Sequence, residues 1–344
     1  MSVDFGTLFP TFNQISASGR IKCKDADFIV TEHTDIDFTG DGEHLWLYVE
    51  KINSNTDWVA KQLSNICQVP RMQVGFAGLK DRHAITRQWF SVQLPKVSDI
   101  SKINSALPDE VQITNSLWHN RKLKTGQLDY NHFEILIRNI EGDKDSVDEN
   151  IENIKQFGFP NYFGPQRFGI DMGNVEKAKD WFSGTYKVKN KNLKSLLIST
   201  ARSYIFNSIV AERIKQGFWN KPVKGDIFQL QGSNSWFKDS NATPDEISTR
   251  LKDFDINITA AMWGENQPIS NDECLYLEEN IASQFQTFQL GFTKFRLKQE
   301  RRSIRCIASE LNYEWLDNHL KLSFILRPGS YATGLIREIL NYSE

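Results

Sequence analysis

Two β-forming runs, Met72 to Ala77 and Gln88 to Val92, flank the stretch Gly78 to Thr86. This pattern constrains the fold more than any other feature. β-formers mixed with polar residues predict strands, and the glycine- and charge-rich stretch between them predicts an ordered loop. Loops of this kind hold chemistry on a rigid support. The loop carries one carboxylate, Asp81, among Lys80, Arg82 and His83. Read blandly, such a charged triplet is a solvated turn whose pairs contribute about 0 to 1 kcal/mol. Read chemically, cationic neighbours favour the ionised carboxylate, a nucleophile needing no activating base, and attract a phosphate-rich substrate.

Around this loop, Arg20 to Glu32 and Glu43 to Lys51 predict two strands joined through the turn residues Thr39-Gly40-Asp41-Gly42. Trp58, Val59, Leu63 and Ile66 share one face of a helix that Thr56 caps and that runs to about Cys67. Further strands are expected at Val111 to Trp118, His132 to Arg138 and Leu320 to Leu326, and helices at Val147 to Phe157 and Tyr331 to Leu340. At 344 residues, with 40% hydrophobic residues including 23 Phe and 9 Trp, the chain can fill more than one core. Gly158, Pro160 and the turn-rich Asn161 to Gly169 mark a domain boundary, whose Tyr162, Phe163 and Phe168 serve either as hinge anchors or as RNA contacts. Beyond it, Leu197, Ala201, Tyr204, Ile205 and Ile209 recur at helical spacing, so the second domain is expected to be largely helical.

The 41 Lys and Arg against 43 Asp and Glu give a formal charge of −2, which argues against indiscriminate RNA coating yet permits a local basic groove. The candidate basic segments are Arg121 to Lys124, Lys187 to Lys194 and Lys294 to Arg305, each also readable as a solvated face. Cys23, Cys67, Cys274 and Cys306 form no C-x-x-C pair, and the six histidines show no metal-binding spacing. Neither a zinc cluster nor a disulfide framework is expected, which fits a reducing cytoplasm. Met1 to Phe12 lacks the pattern of a secretory leader, and no apolar run approaches about 18 residues, so no membrane association is expected.

The stretch GFAGLKDRHAITRQWFSV, Gly75 to Val92, closely resembles the catalytic loop of the TruD family of tRNA pseudouridine synthases. Further matches follow in the family's order: Lys22 to Glu32 (KCKDADFIVTE), His119 to Phe133 (HNRKLKTGQLDYNHF), Pro160 to Gly169 (PNYFGPQRFG), Ala201 to Arg213 (ARSYIFNSIVAER) and Pro328 to Leu340 (PGSYATGLIREIL). The resemblance thus spans nearly the whole chain. It implies an α+β fold: a pseudouridine-synthase-type mixed-sheet catalytic domain, residues 1–160 and 308–344, with a largely helical inserted domain at 161–307. It implies that tRNA is the substrate, with uridine 13 the favoured target, that no cofactor or metal takes part, and that no protein partner is obligatory.

The same resemblance makes Asp81 the catalytic residue, acting either as nucleophile at C1′ of the ribose or as base at C2′, on a uridine flipped out of the RNA. It assigns Phe133 to base stacking, Asn131 to substrate placement, Phe28 and Tyr331 to the substrate pocket, and Lys22 to the active centre. Two departures stand out: Tyr130 replaces a glycine before the Asn, and Tyr331 replaces a Phe. Lys22 ranks below Asp81, and His83 is expected to shape the loop or contact phosphate. Two other classes compete. A non-catalytic RNA-binding module would use the same basic and aromatic surface, but gives no reason for Asp81. A glycoside hydrolase would need a second positioned acid that the loop does not supply.

Overall fold

The computed structural model describes residues 5–94, 99–233, 235–238 and 242–344, which form two compact units. One comprises Ser16–Lys144, Ala308–Ala332 and Leu340–Glu344. Among its described residues, ten strands make one mixed sheet. Its strands include β1 (Ala17–Arg20), β2 (Phe28–His33), β3 (His44–Ile52), β4 (Val74–Phe76), β5 (Ile85–Gln93), β6 (Val111–His119) and β7 (Tyr130–Gly142). The long path across the sheet runs Ser309–Leu316, His319–Leu326, β7, β2, β5, β3, β6. β2 and β5 are parallel neighbours, whereas the other pairs along this path are antiparallel.

Strand alternation produces the core on both faces of this sheet. On one face, Leu45, Leu47 and Val49 of β3 and Phe90 and Val92 of β5 pack beneath Val59, Ala60 and Leu63 of the helix Thr56–Ile66. Trp58 and Ile66, expected on that helix face, pack against the same cluster as partly buried residues. On the other face, Trp46 and Trp89 gather Ala77, Leu123, Phe38 and Tyr48. The expected strand from Arg20 to Glu32 is interrupted: β1 ends at Arg20, a turn at Asp25–Asp27 follows, and β2 starts at Phe28. The cause is Asp27, whose carboxylate accepts from Lys24 N at 2.9 Å and from both ends of the Arg138 guanidinium at 2.8 and 2.6 Å. Those bonds favour the turn over a continuous ladder.

The second unit comprises residues up to Ile15, Asp145–Ile307 and Thr333–Ile339. Helices Gly173–Ser183, Lys191–Lys215, Asp272–Ser283 and Gln286–Lys294 dominate it. It is not purely helical, since Trp236–Lys238, Ile227–Leu230, Ile256–Met262 and Glu300–Ser303 form a four-stranded antiparallel sheet. Ile256–Met262 is almost wholly buried although Ile256, Asn257, Ile258 and Thr259 alternate apolar with polar, because Arg305 and Arg301 bond the Asn257 and Thr259 side chains.

This unit also takes in the helix residues from Asp145 and the chain near both termini, beyond the expected insert of 161–307. Side-chain bonds explain the grouping. Glu338 accepts from Phe12 N and Asn13 N at 2.8 and 3.2 Å, and Asn150 donates to Gln14 O and Ile339 O. Tyr162 donates to Pro10 O, so segments distant in sequence are stitched together. Tyr162, Phe163 and Phe168 are all buried, and Asn207 bonds both N and O of Phe163 at 2.9 Å. The boundary aromatics are therefore anchors of this unit's core.

Candidate active site

Alternation in the first unit's sheet places polar residues where apolar ones are the rule. Glu32, Lys51, Thr86 and Gln88 are 2%, 0%, 0% and 0% exposed, on strand positions that continue the buried series Phe28, Val30 and Leu45, Leu47, Val49. Registered residues on neighbouring strands share a face. One such row runs Lys51, Thr86, Val30, Phe133, Phe324 across five strands. One step along β2 and β7, Glu32 lies opposite Asn131, which lies opposite Leu326.

The Asp81 loop leaves β4, lies over this polar face and returns into β5. Three side chains hold it from the sheet. Lys80 Nζ pairs with Glu32 Oε2 at 2.5 Å, both side chains being buried. Gln88 Nε2 donates to Gly78 O at 3.1 Å, and Lys51 Nζ donates to Asp81 O at 3.0 Å. Thr56, the first residue of its helix rather than the cap, adds a fourth tie: its hydroxyl accepts from Lys80 N at 3.0 Å and donates to Gln88 Oε1 at 2.9 Å.

Before the loop, Gly75 is required by close approach, because a Cβ there would stand 2.3 Å from Leu123 O. Gly78 is under no such demand, as its nearest neighbours would be at 3.9 and 4.0 Å.

Asp81 itself is half-buried, whereas Arg82 and His83 are exposed. Lys80, expected to hold the Asp81 charge, has its ammonium engaged by Glu32 instead. Of the registered residues of the sheet, the side-chain oxygens of Thr86 and Asn131 are buried and have no hydrogen-bond partner among the described residues. Buried polar atoms of this kind call for an explanation, and a ligand edge is one.

The aromatic candidates form a contact chain. Phe133 is 8% exposed and stacks on Phe324 with centroids 5.3 Å apart and 17° between planes, while Phe28 meets it edge-on at 6.3 Å. Lys22 Nζ sits 5.0 Å from the Phe28 ring centroid and 2.7 Å from Glu344 Oε1. Lys22 lies in the turn after β1 with φ 55°, not on a strand, and its side chain is buried. Tyr331 is half-buried beyond the turn that ends strand His319–Leu326.

Phe133→Ala is expected to lower stability by about 3 kcal/mol or more in a urea melt, because the ring is nearly enclosed and already stacked. A loss below about 1 kcal/mol would remove Phe133 from the core.

Sequence reading missed Glu32, Lys51, Thr56, Thr86 and Gln88 as parts of this site. The signal was present: charged and amide residues at buried positions of otherwise apolar alternation. One basic segment also changes character. Arg301 of the Lys294 to Arg305 run forms a buried pair with both Glu278 oxygens at 2.8 Å. Arg305 donates to Leu251 O, Ile256 O and Asn257 Oδ1, and burial pushes its pKa down to about 10. These two cations belong to the fold of the second unit.

A family model described as tRNA pseudouridine synthase D (TruD) matches residues 7–176 and 172–339. The chain belongs to the TruD family. A tRNA pseudouridine synthase D of Hydrogenovibrio crunogenus is 41% identical over 322 residues, covering 93% of this chain and 92% of that protein. One from Histophilus somni is 42% identical over 325 residues, with 94% and 95% covered. A crystal structure from Methanosarcina mazei, under the same TruD name, superposes with a TM-score of 0.74 at 22% identity, covering 96% of this chain and 95% of its own. That likeness shows the mixed α+β TruD fold. Among the described residues, no helix is long and apolar enough to cross a membrane.

Proposed function

We propose that the chain converts a uridine of tRNA to pseudouridine, with uridine 13 the favoured position and Asp81 the reacting carboxylate. The observation that carries this reading is a half-buried carboxylate on a loop anchored over a buried polar row, within a chain that matches TruD throughout. Isomerisation detaches N1 of uracil from C1′, turns the base and rejoins it through C5. An anionic carboxylate oxygen serves this either by attacking C1′ or by taking the C2′ proton.

In this reading the unpartnered Asn131 oxygen meets an edge of the flipped nucleotide, and Phe28 and Phe133 build the apolar wall below it. Residues 1–160 and 308–344 remain the proposed catalytic part, and 161–307 the proposed insert. The test is tritium release from tRNA transcribed with 5-tritiated uridine, followed by mapping of the modified position. Absence of release with folded protein and folded tRNA would overturn the proposal. Release from another uridine would overturn only position 13.

Lys187, Lys189 and Lys191 are exposed, and Lys191 opens the helix Lys191–Lys215, where the helix dipole gives a cation no support. We assign them to phosphate contacts. Replacing all three with Gln is expected to reduce the log-log salt slope of tRNA binding by about 2, given 0.7 to 0.9 ions released per phosphate. An unchanged slope would remove this segment from the footprint.

A further inference from the structure

Of the two charged residues among the buried Glu32, Lys51, Thr86 and Gln88, Glu32 is paired with Lys80, whereas Lys51 has no ion pair among the described residues. Its side chain extends from near the end of β3, fully buried, and its ammonium donates to two main-chain carbonyls, Ser54 O at 2.5 Å and Asp81 O at 3.0 Å. Neither acceptor carries a charge, and a buried ammonium held by carbonyls alone is costly. An apolar side chain of similar volume would fill the same space more cheaply.

What the ammonium does achieve is to fix the main chain of Asp81 itself, at the point where the loop turns back towards β5. We infer that Lys51 is a positioning residue, its buried ammonium clamping the Asp81 main chain from beneath so that the carboxylate is held in reacting geometry. The inference rests on Asp81 being the reacting carboxylate.

The charges around the clamp give it a pH signature. Burial pushes Lys51 down to about 8, Asp81 opposes that shift, and Lys80, itself paired with Glu32, adds to it. Above that pH the amine is neutral, its hold on the carbonyl weakens, and the attraction to the Asp81 carboxylate is gone. The rate therefore falls as pH rises through about 8.

Stability moves the other way. The folded-state value lies below the 10.5 of an unburied lysine, so the unfolded chain binds the proton more tightly. Relative to a variant without the amine, the wild type gains stability as pH rises from about 8 towards 10.5. A lysine that merely supported the fold would move rate and stability together.

The experiment compares wild type with Lys51→Met in single-turnover tritium release, tRNA equilibrium binding and urea melts from about pH 7 to 9.5. The expected result at about pH 7.5 is a rate lowered about a hundredfold with tRNA Kd within about threefold, since misplacing a reacting group by an ångström has that scale of effect. The wild-type decline near pH 8 should also be missing from the variant.

A folded Lys51→Met protein with wild-type rate and pH profile would overturn the inference. So would a rate loss matched by lost tRNA binding with the pH decline retained. Should Lys51→Met fail to fold, the wild-type profile decides: a decline centred near pH 8 at constant Kd supports the clamp, and a flat rate refutes it. Asp81→Asn runs alongside, because turnover by that variant would sink the catalytic reading itself, whatever Lys51 does.

Discussion

Asp81→Asn is expected to abolish conversion while leaving fold and tRNA affinity nearly unchanged. The substitution keeps side-chain size and removes the anionic oxygen that attack at C1′ and proton removal at C2′ both require. The hydrogen bonds that anchor the loop do not involve the carboxylate: Lys51 holds the Asp81 carbonyl, Gln88 holds Gly78 O, and Lys80 is paired to Glu32. The rate loss should exceed about a thousandfold, or roughly 4 kcal/mol in barrier. Tritium release, equilibrium binding and a thermal melt measured on one preparation separate the outcomes. Near-normal release would end the catalytic assignment. Intact binding with no release from wild type or variant would favour a non-catalytic RNA-binding protein.

The second large effect belongs to the pair beneath the loop. Lys80 and Glu32 are buried together, and Glu32 Oε1 also accepts from Trp89 N at 3.2 Å. Lys80→Met strands the Glu32 carboxylate, and Glu32→Gln strands the Lys80 ammonium. Each single change should cost about 3 to 5 kcal/mol of stability, because one buried charge loses its partner. The double variant should be markedly more stable than the sum of the two losses implies, since residues in direct contact couple by about 0.5 to 3 kcal/mol. Urea melts of the four proteins test this. Simple additivity would mean that the two side chains do not act as a pair, and that the loop is held chiefly by Thr56, Gln88 and Lys51.

Much of the first unit was legible locally. The strands at β3, β6, β7 and His319–Leu326, and the helix after Asn55, follow from alternation and helical spacing that the structure reproduces to within a few residues. Asp81 stood out because a lone carboxylate between cations on a strand-flanked loop is an unusual local arrangement. Its neighbours misled for the same local reason. Lys80 is adjacent in sequence yet turns to Glu32, 48 residues away, because a buried ammonium takes the partner that tertiary packing supplies.

The basic run ending at Arg305 looked like a surface feature, since charge is read from composition while burial is not. Arg301 reaches Glu278 and Arg305 reaches three acceptors only once the second unit's sheet has formed. Asn257 and Thr259, the polar positions of the alternating run Ile256–Met262, are likewise buried, because Arg305 and Arg301 reach them.

By itself the sequence determined the strand-bounded loop and the family and singled out Asp81, the proposed reacting carboxylate, since each is written in contiguous residues. The tertiary structure decided what holds that loop. Lys51, Thr56, Gln88 and Glu32 come from three strands and a helix and meet only through sheet register, which no local pattern encodes. It also decided that Phe133 is enclosed against Phe324, a contact between residues 191 positions apart that exists only because β7 pairs with His319–Leu326.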